Sequence, residues 1–308
     1  MKAAVVRSFD TSPRFEDYPE PVVDAASELV DVVAAGLHPR VRSQANGSHY
    51  TSSDALPLIP GIDGVGRRSD GTLVYFVLPD TQLGSMAERT LIDPRRSIPL
   101  AEGADAVQLA AAMNPGMSSW VALQSRVQLQ PGQSVLVLGA TGSAGQLALQ
   151  IARRLGAGEV IAAGRGADRL EGLGADAVID LENPDYDRGA NADVVLDYLW
   201  GAPAETAMLP LLMARKDRSR LLSWIQIGAV AGPDLTLPSA LLRQANLRLL
   251  GSGQGSVSTR GILELLPGLA AEIERGTFRI DAVSHPLSEA EHQWTASTRF
   301  TERVVLVP

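Results

Sequence analysis

Cysteine is missing altogether from this chain of 308 residues. Its absence removes disulfides, thiolate nucleophiles and cysteine-ligated zinc from consideration. Histidine is nearly as scarce: the four copies are His38, His49, His285 and His292. No two of them stand at the H-E-x-x-H spacing of a helical metal site. Positive charge falls short of negative, 27 Lys and Arg against 35 Asp and Glu, for a formal net charge of -8. Such a surface repels nucleic acid and anionic lipid, so neither is an expected partner. No apolar run approaches the length of a membrane span. The opening MKAAVVRSFD lacks the apolar stretch of a secretory signal, and the expected location is the cytoplasm. Against these absences stands a hydrophobic fraction of 45%, enough for a full core. The length suits one large or two medium domains.

The first third reads as short strands broken by Pro and Gly: KAAVV (2–6), ELVDVVAAG (28–36) and TLVYFVL (72–78). A helical pattern over 105–123 breaks at Asn114-Pro115-Gly116 and resumes, which places a domain junction there. From Ser134 the rhythm becomes strand, helix, strand. SVLVLG fits a buried parallel strand. AGQLALQIARRLGA sets Leu147, Ile151 and Leu155 on one helical face, with Gly156 as its stop. EVIAAG, DAVID, ADVVLDYLW, RLLSWIQIG and NLRLLGS continue an alternation that predicts a doubly wound parallel sheet. The tail carries a helix, an extended piece over 277–287, a short helix and a last strand. The expected organisation is a β-rich domain from 1–117 and 256–308, with a dinucleotide-binding α/β domain at 118–255.

Between SVLVLG and its helix lies GATGSAG. Read from Ala140 this is A-x-G-x-x-G: Ala140, Gly142 and Gly145 are the fingerprint, with Thr141, Ser143 and Ala144 between them. A turn of this kind aims backbone N–H groups and the positive helix end at a pyrophosphate. Its glycines let phosphate and helix come close; the plainer alternative is a tight structural turn. Enzymes using NAD place a carboxylate at the end of the second strand for the ribose hydroxyls. Gly164 stands there instead, followed by Arg165 and, four residues on, Arg169. An arginine fork suits a 2′-phosphate, so the spacing favours NADP, the alternative being solvated loop arginines. Counted from Gly139, the loop also fits the G-x-x-G-x-x-G of short-chain dehydrogenases. That family needs Tyr-x-x-x-Lys, and Tyr198 and Tyr186 are followed at that spacing by Ala202 and Ala190.

With its β unit, its PGIDGVG segment, its A-x-G-x-x-G turn and its C-terminal return, the chain resembles the medium-chain dehydrogenase/reductase superfamily. It is most similar to the zinc-independent quinone oxidoreductase branch. The resemblance covers essentially all of the sequence. It implies an α/β protein in which a GroES-like catalytic domain precedes a Rossmann domain. Zinc-dependent members have P-G-H-E where Pro60-Gly61-Ile62-Asp63 stands, and a cysteine where His38 stands, so no metal is expected. The implied reaction is hydride transfer from NADPH to a quinone or an α,β-unsaturated carbonyl. Matching positions nominate Tyr50, His38 and Asn114 as substrate-side candidates. Plainer readings are a lining aromatic, a loop histidine and a helix end. Ser118 matches a threonine near the nicotinamide, and Gly228 and Ala229 match a strand end beside its ring. Tyr198 lies against the cofactor or simply ends its strand, and His49 is expected to be exposed. The family habit of pairing cofactor domains makes 247–252 a candidate edge strand for a homodimer. The competing function is a non-catalytic NADPH-binding protein on the same scaffold.

Overall fold

The computed structural model describes residues 1–52, 54–296 and 302–308. The chain divides into two compact units: Met1–Asn114 with Leu266–Pro308, and Pro115–Leu265. Each unit has its own core.

In chain order the first unit begins with β1 (Lys2–Val5), β2 (Arg14–Asp17) and β3 (Glu28–Leu37), then helix α1 (Pro39–Ala45). It continues through β4 (Asp63–Arg67), β5 (Leu73–Val77), β6 (Arg89–Ile92) and β7 (Ser97–Pro99). Helix α2 (Ala106–Val121) carries the unit boundary. The second unit holds β8 (Ser134–Leu138), α3 (Ser143–Arg154), β9 (Glu159–Gly164), α4 (Ala167–Glu171), β10 (Ala177–Asp180) and β11 (Val194–Asp197). It goes on with α5 (Gly201–Ala214), β12 (Leu222–Gln226), α6 (Leu241–Gln244) and β13 (Leu247–Gly251). Helix α7 (Thr259–Glu274) leads back to the first unit, which ends with β14 (Ala282–Pro286), α8 (Ala290–Ala296) and β15 (Arg303–Val307).

Among the described residues, the first unit pairs β1 with β2 and builds a seven-stranded sheet, β14-β15-β3-β4-β5-β7, with β6 also on β3. Every pairing in the larger sheet is antiparallel except β14 with β15. Its strands bury Val30, Val74, Phe76 and Leu306 in one cluster with Ile59 and Met86 of the connecting segments. The second unit is a six-stranded, wholly parallel sheet in the order β10-β9-β8-β11-β12-β13. Relabelled from β8, that is 3-2-1-4-5-6, the order of a doubly wound dinucleotide-binding sheet. The order reverses between β8 and β11, and ligands of such sheets bind outside the strand ends at that point. On α3, Leu147 and Ile151 are buried, and Gly156 follows the helix at φ +95°. Strand β13 is the outermost of its sheet, as expected for 247–252.

Two expectations are corrected. Helix α2 does not break at Asn114-Pro115-Gly116; it runs unbroken with Pro115 inside. Burial outweighs the lost backbone bond, since Leu109 to Met113 on one side and Trp120 and Val121 on the other are buried. Ser118 Oγ donates to the Pro115 carbonyl at 2.7 Å, adding a bond beside the proline. The extended piece over 277–287 forms a strand only at Ala282–Pro286. Among the described residues, no helix is long and apolar enough to cross a membrane.

Candidate functional site

The turn after β8 is built by three small residues with three different tasks. Gly139 has φ +97°, in the region that favours glycine. Its N–H and that of Ala140 both reach the Ala163 carbonyl of β9, at 2.8 and 2.9 Å, so the turn is tied to the neighbouring strand. Gly145 lies in the first turn of α3. A Cβ there would stand 2.3 Å from the Gly139 oxygen and 2.7 Å from Ala140 Cα, so only glycine lets helix and turn pack this closely. Gly142 caps α3 in an extended conformation. A Cβ on it would meet nothing nearer than the Gly139 oxygen at 3.5 Å, so its open face is available to a phosphate. Ser143 and Ala144 open the helix. The amides of a first helical turn point out of the helix end, here towards the glycine turn. The turn has the shape and the backbone donors of a pyrophosphate cradle.

Gly164 ends β9 beside this turn. Arg165 is exposed, and Gly166 follows at φ +87°. Arg169, on α4, folds back so that its Nη2 donates to the Thr141 carbonyl at 3.3 Å. Thr141, Gly164 and Arg169 thus come together, while Arg165 extends into solvent next to them.

At the end of β11, on the other side of the switch point, sits Asp197, fully buried. Its Oδ1 accepts from the amides of Leu199 and Trp200 at 2.8 and 2.9 Å, and its Oδ2 from Trp224 Nε1 at 2.9 Å. Burial pushes this carboxyl above its ordinary value, and those donors oppose the shift. Asp197 therefore shapes the turn that presents Tyr198. The Tyr198 hydroxyl lies 2.9 Å from Ser118 Oγ. Gly228 packs its Cα face on the backbone of Tyr198, where a Cβ would come within 2.6 Å of the Tyr198 oxygen. Ser118, Tyr198 and Gly228 therefore cluster at one strand end, with Ala229 exposed just beyond. Sequence reasoning missed Asp197; the available signal was an acidic residue closing the apolar run VVLD.

In the first unit, His38 caps α1 and is 3% exposed. Its Nε2 lies 2.9 Å from Asp63 Oδ1, and Tyr75 donates its hydroxyl to Asp63 Oδ2 at 2.8 Å. All three residues are buried. A carboxylate only accepts, so the imidazole proton belongs on Nε2. Nδ1 has no hydrogen-bond partner among the described residues. Burial, then the Asp63 charge, pushes the Tyr75 phenol far above its ordinary value, so it stays a donor. Ile62, at the position of the family's zinc-binding histidine, joins the apolar core instead. Tyr75 was not foreseen; its signal was one hydroxyl within the apolar strand LVYFV.

The other substrate-side candidates lie elsewhere in this unit. Tyr50 is 72% exposed, its ring tilted over His49 at 4.2 Å between centroids. The expectation that His49 is exposed is corrected: it is half-buried, with Nδ1 2.8 Å from Thr51 Oγ1. Burial first, and then the Arg40 guanidinium, push this imidazole down to about 4, with Asp80 opposing. His49 is therefore neutral at physiological pH. Arg40 holds Asp80 with contacts of 2.7 and 2.6 Å, and Thr51 hydrogen-bonds the same carboxylate. Asn114 is half-buried inside α2 and does not end a helix.

No protein-family model matches the chain. It is 30% identical, over 361 aligned positions covering all of both proteins, to a probable NADPH-dependent quinone reductase of Emericella nidulans. An NADPH-dependent alkenal/one oxidoreductase of Arabidopsis thaliana is 27% identical over 58% of this chain, which spans 51% of that protein's length. Among solved structures, a quinone oxidoreductase of Thermus thermophilus, studied also as its NADPH complex, superposes with a TM-score of 0.79. That match has 26% identity and covers all of both chains.

Proposed function

Because this chain belongs to the medium-chain dehydrogenase/reductase superfamily, among its quinone oxidoreductases, we propose that it reduces a quinone or an α,β-unsaturated carbonyl with NADPH and without a metal ion. The observation that carries this reading is the turn after β8. There the open face of Gly142 and the N-terminus of α3 offer a pyrophosphate site at the sheet's switch point. NADPH supplies the hydride when bound. Arg165 and Arg169 hold its 2′-phosphate, and Ser118, Tyr198, Gly228 and Ala229 line its nicotinamide end. His38, held by Asp63 through Nε2, serves the oxygen of the reduced substrate. Tyr50 and Asn114 bind the substrate.

The donor chemistry supports the metal-free part. Asp63 has both oxygens taken by His38 and Tyr75, Ile62 places an apolar side chain at the histidine position, and the sequence has no cysteine. The enzyme works in the cytoplasm as a homodimer joined through β13 edges.

Steady-state oxidation of NADPH across a panel of quinones and enones, with and without a strong chelator, tests the proposal. Turnover unchanged by chelation is expected. A requirement for added zinc defeats the metal-free reading, and NADPH binding without turnover of any acceptor leaves a binding protein. Arg165→Ala should weaken NADPH about tenfold or more, as expected for a charge-assisted phosphate contact of about 1.5–3 kcal/mol. NADH binding should stay nearly unaffected. Calorimetric titration reads both, and equal losses would remove Arg165 from the phosphate site.

A further inference from the structure

We propose that Thr141 enforces glycine at position 164 and so selects against the unphosphorylated cofactor; this rests on the NADPH reading above. Position 164 is where an NAD enzyme of this fold carries its acidic side chain. Any such side chain begins with a Cβ. Built on Gly164, it would lie 2.9 Å from Thr141 Cγ2, 3.2 Å from Thr141 Oγ1 and 3.3 Å from Leu170 Cδ2. Leu170 is fully buried. Thr141 is no freer. Its carbonyl accepts from Arg169 Nη2 at 3.3 Å and from Gln146 Nε2 at 3.2 Å, which fixes the backbone from two helices. Its side chain is branched at Cβ, so every staggered χ1 keeps Cγ2 or Oγ1 in at least one of the two near positions.

The same residue therefore acts on both cofactors. Its side chain fills the space a ribose-binding carboxylate would need. Its carbonyl holds Arg169 beside the strand end, where a 2′-phosphate would lie. Exchanging Gly164 for an acid is consequently not sufficient to recruit NADH: Thr141 has to be cut back first.

The test uses the full-length protein and calorimetric Kd values for NADPH and NADH. In the wild-type background, Gly164→Asp should weaken both cofactors. In the Thr141→Ala background the same change should raise NADH affinity at least about tenfold above that of the Gly164→Asp single variant. Gly164→Ala adds only the Cβ and guards against an aspartate variant that fails to fold. Its loss of Tm should shrink by half or more when Thr141 is alanine. The inference is overturned if Gly164→Asp alone binds NADH as well as the double variant does, or if the Tm losses are equal in the two backgrounds. A wild-type protein with no preference for NADPH instead overturns the cofactor reading. The coupling of Tm between positions 141 and 164 is measured without any cofactor, so the two failures are separate.

Discussion

Asp63→Ala is expected to destabilise the β-rich unit by about 3 kcal/mol or more, because it strands two buried polar groups at once. His38 Nε2 and the Tyr75 hydroxyl each have Asp63 as their partner, and neither can turn to solvent at 3% and 0% exposure. Urea or thermal unfolding reads the loss. A change below about 1 kcal/mol would mean that the network contributes nothing beyond packing. Asp63→Asn separates stability from chemistry. The amide oxygen still accepts from Tyr75, but its NH₂ then faces His38 Nε2. In that orientation the imidazole shifts its proton to Nδ1. Nitrogen chemical shifts of His38 should report the switch, with kcat falling further than stability does. Unchanged shifts would mean that the amide keeps its oxygen on His38 Nε2 and donates to the Tyr75 oxygen instead.

The second large effect is expected at Gly145. Alanine there places a methyl 2.3 Å from the Gly139 oxygen and 2.7 Å from Ala140 Cα, both backbone atoms that cannot rotate away. Helix α3 has to lift off the turn, which moves the first-turn amides from the phosphate position. NADPH affinity should fall about a hundredfold or more, with about 1–3 kcal/mol lost in stability from overpacking. Gly142→Ala is the control, since its methyl meets only an ordinary contact at 3.5 Å. It should cost cofactor affinity with little change in Tm, because the methyl intrudes on the ligand's space and not on the protein's. If Gly145→Ala binds NADPH like wild type, the close approach of helix and turn is not what forms the cradle.

What the sequence made legible was local. The glycine spacing, the apolar run before it and the helical face after it lie within about twenty consecutive residues, and short-range geometry decides them. The parallel sheet and its likeness to a known superfamily followed from that rhythm. Legibility failed where distant groups meet. His38, Asp63 and Tyr75 sit on three separate elements, so the partnership of two of them with a strand tyrosine is a property of sheet register: Asp63 pairs with Val77 across β4 and β5, two places from Tyr75. Ser118 and Tyr198 are 80 positions apart and share a hydrogen bond that no spacing announces. Pro115 failed for a different reason. The rule that proline ends a helix weighs one backbone bond, whereas α2 is held by buried side chains on both sides of the proline.

The pairing of β3 with β15 has a consequence for how the molecule is made. Val304 lies opposite Leu37 and Leu306 opposite Ala35, so the antiparallel sheet is completed only after β15, which follows every strand of the parallel sheet, has left the ribosome. The parallel sheet, by contrast, comes from one unbroken stretch, Pro115–Leu265. Translation therefore delivers a complete cofactor unit while the earlier strands still wait for their partner. The loop closure that joins β3 to β15 is the long-range, late step of biogenesis.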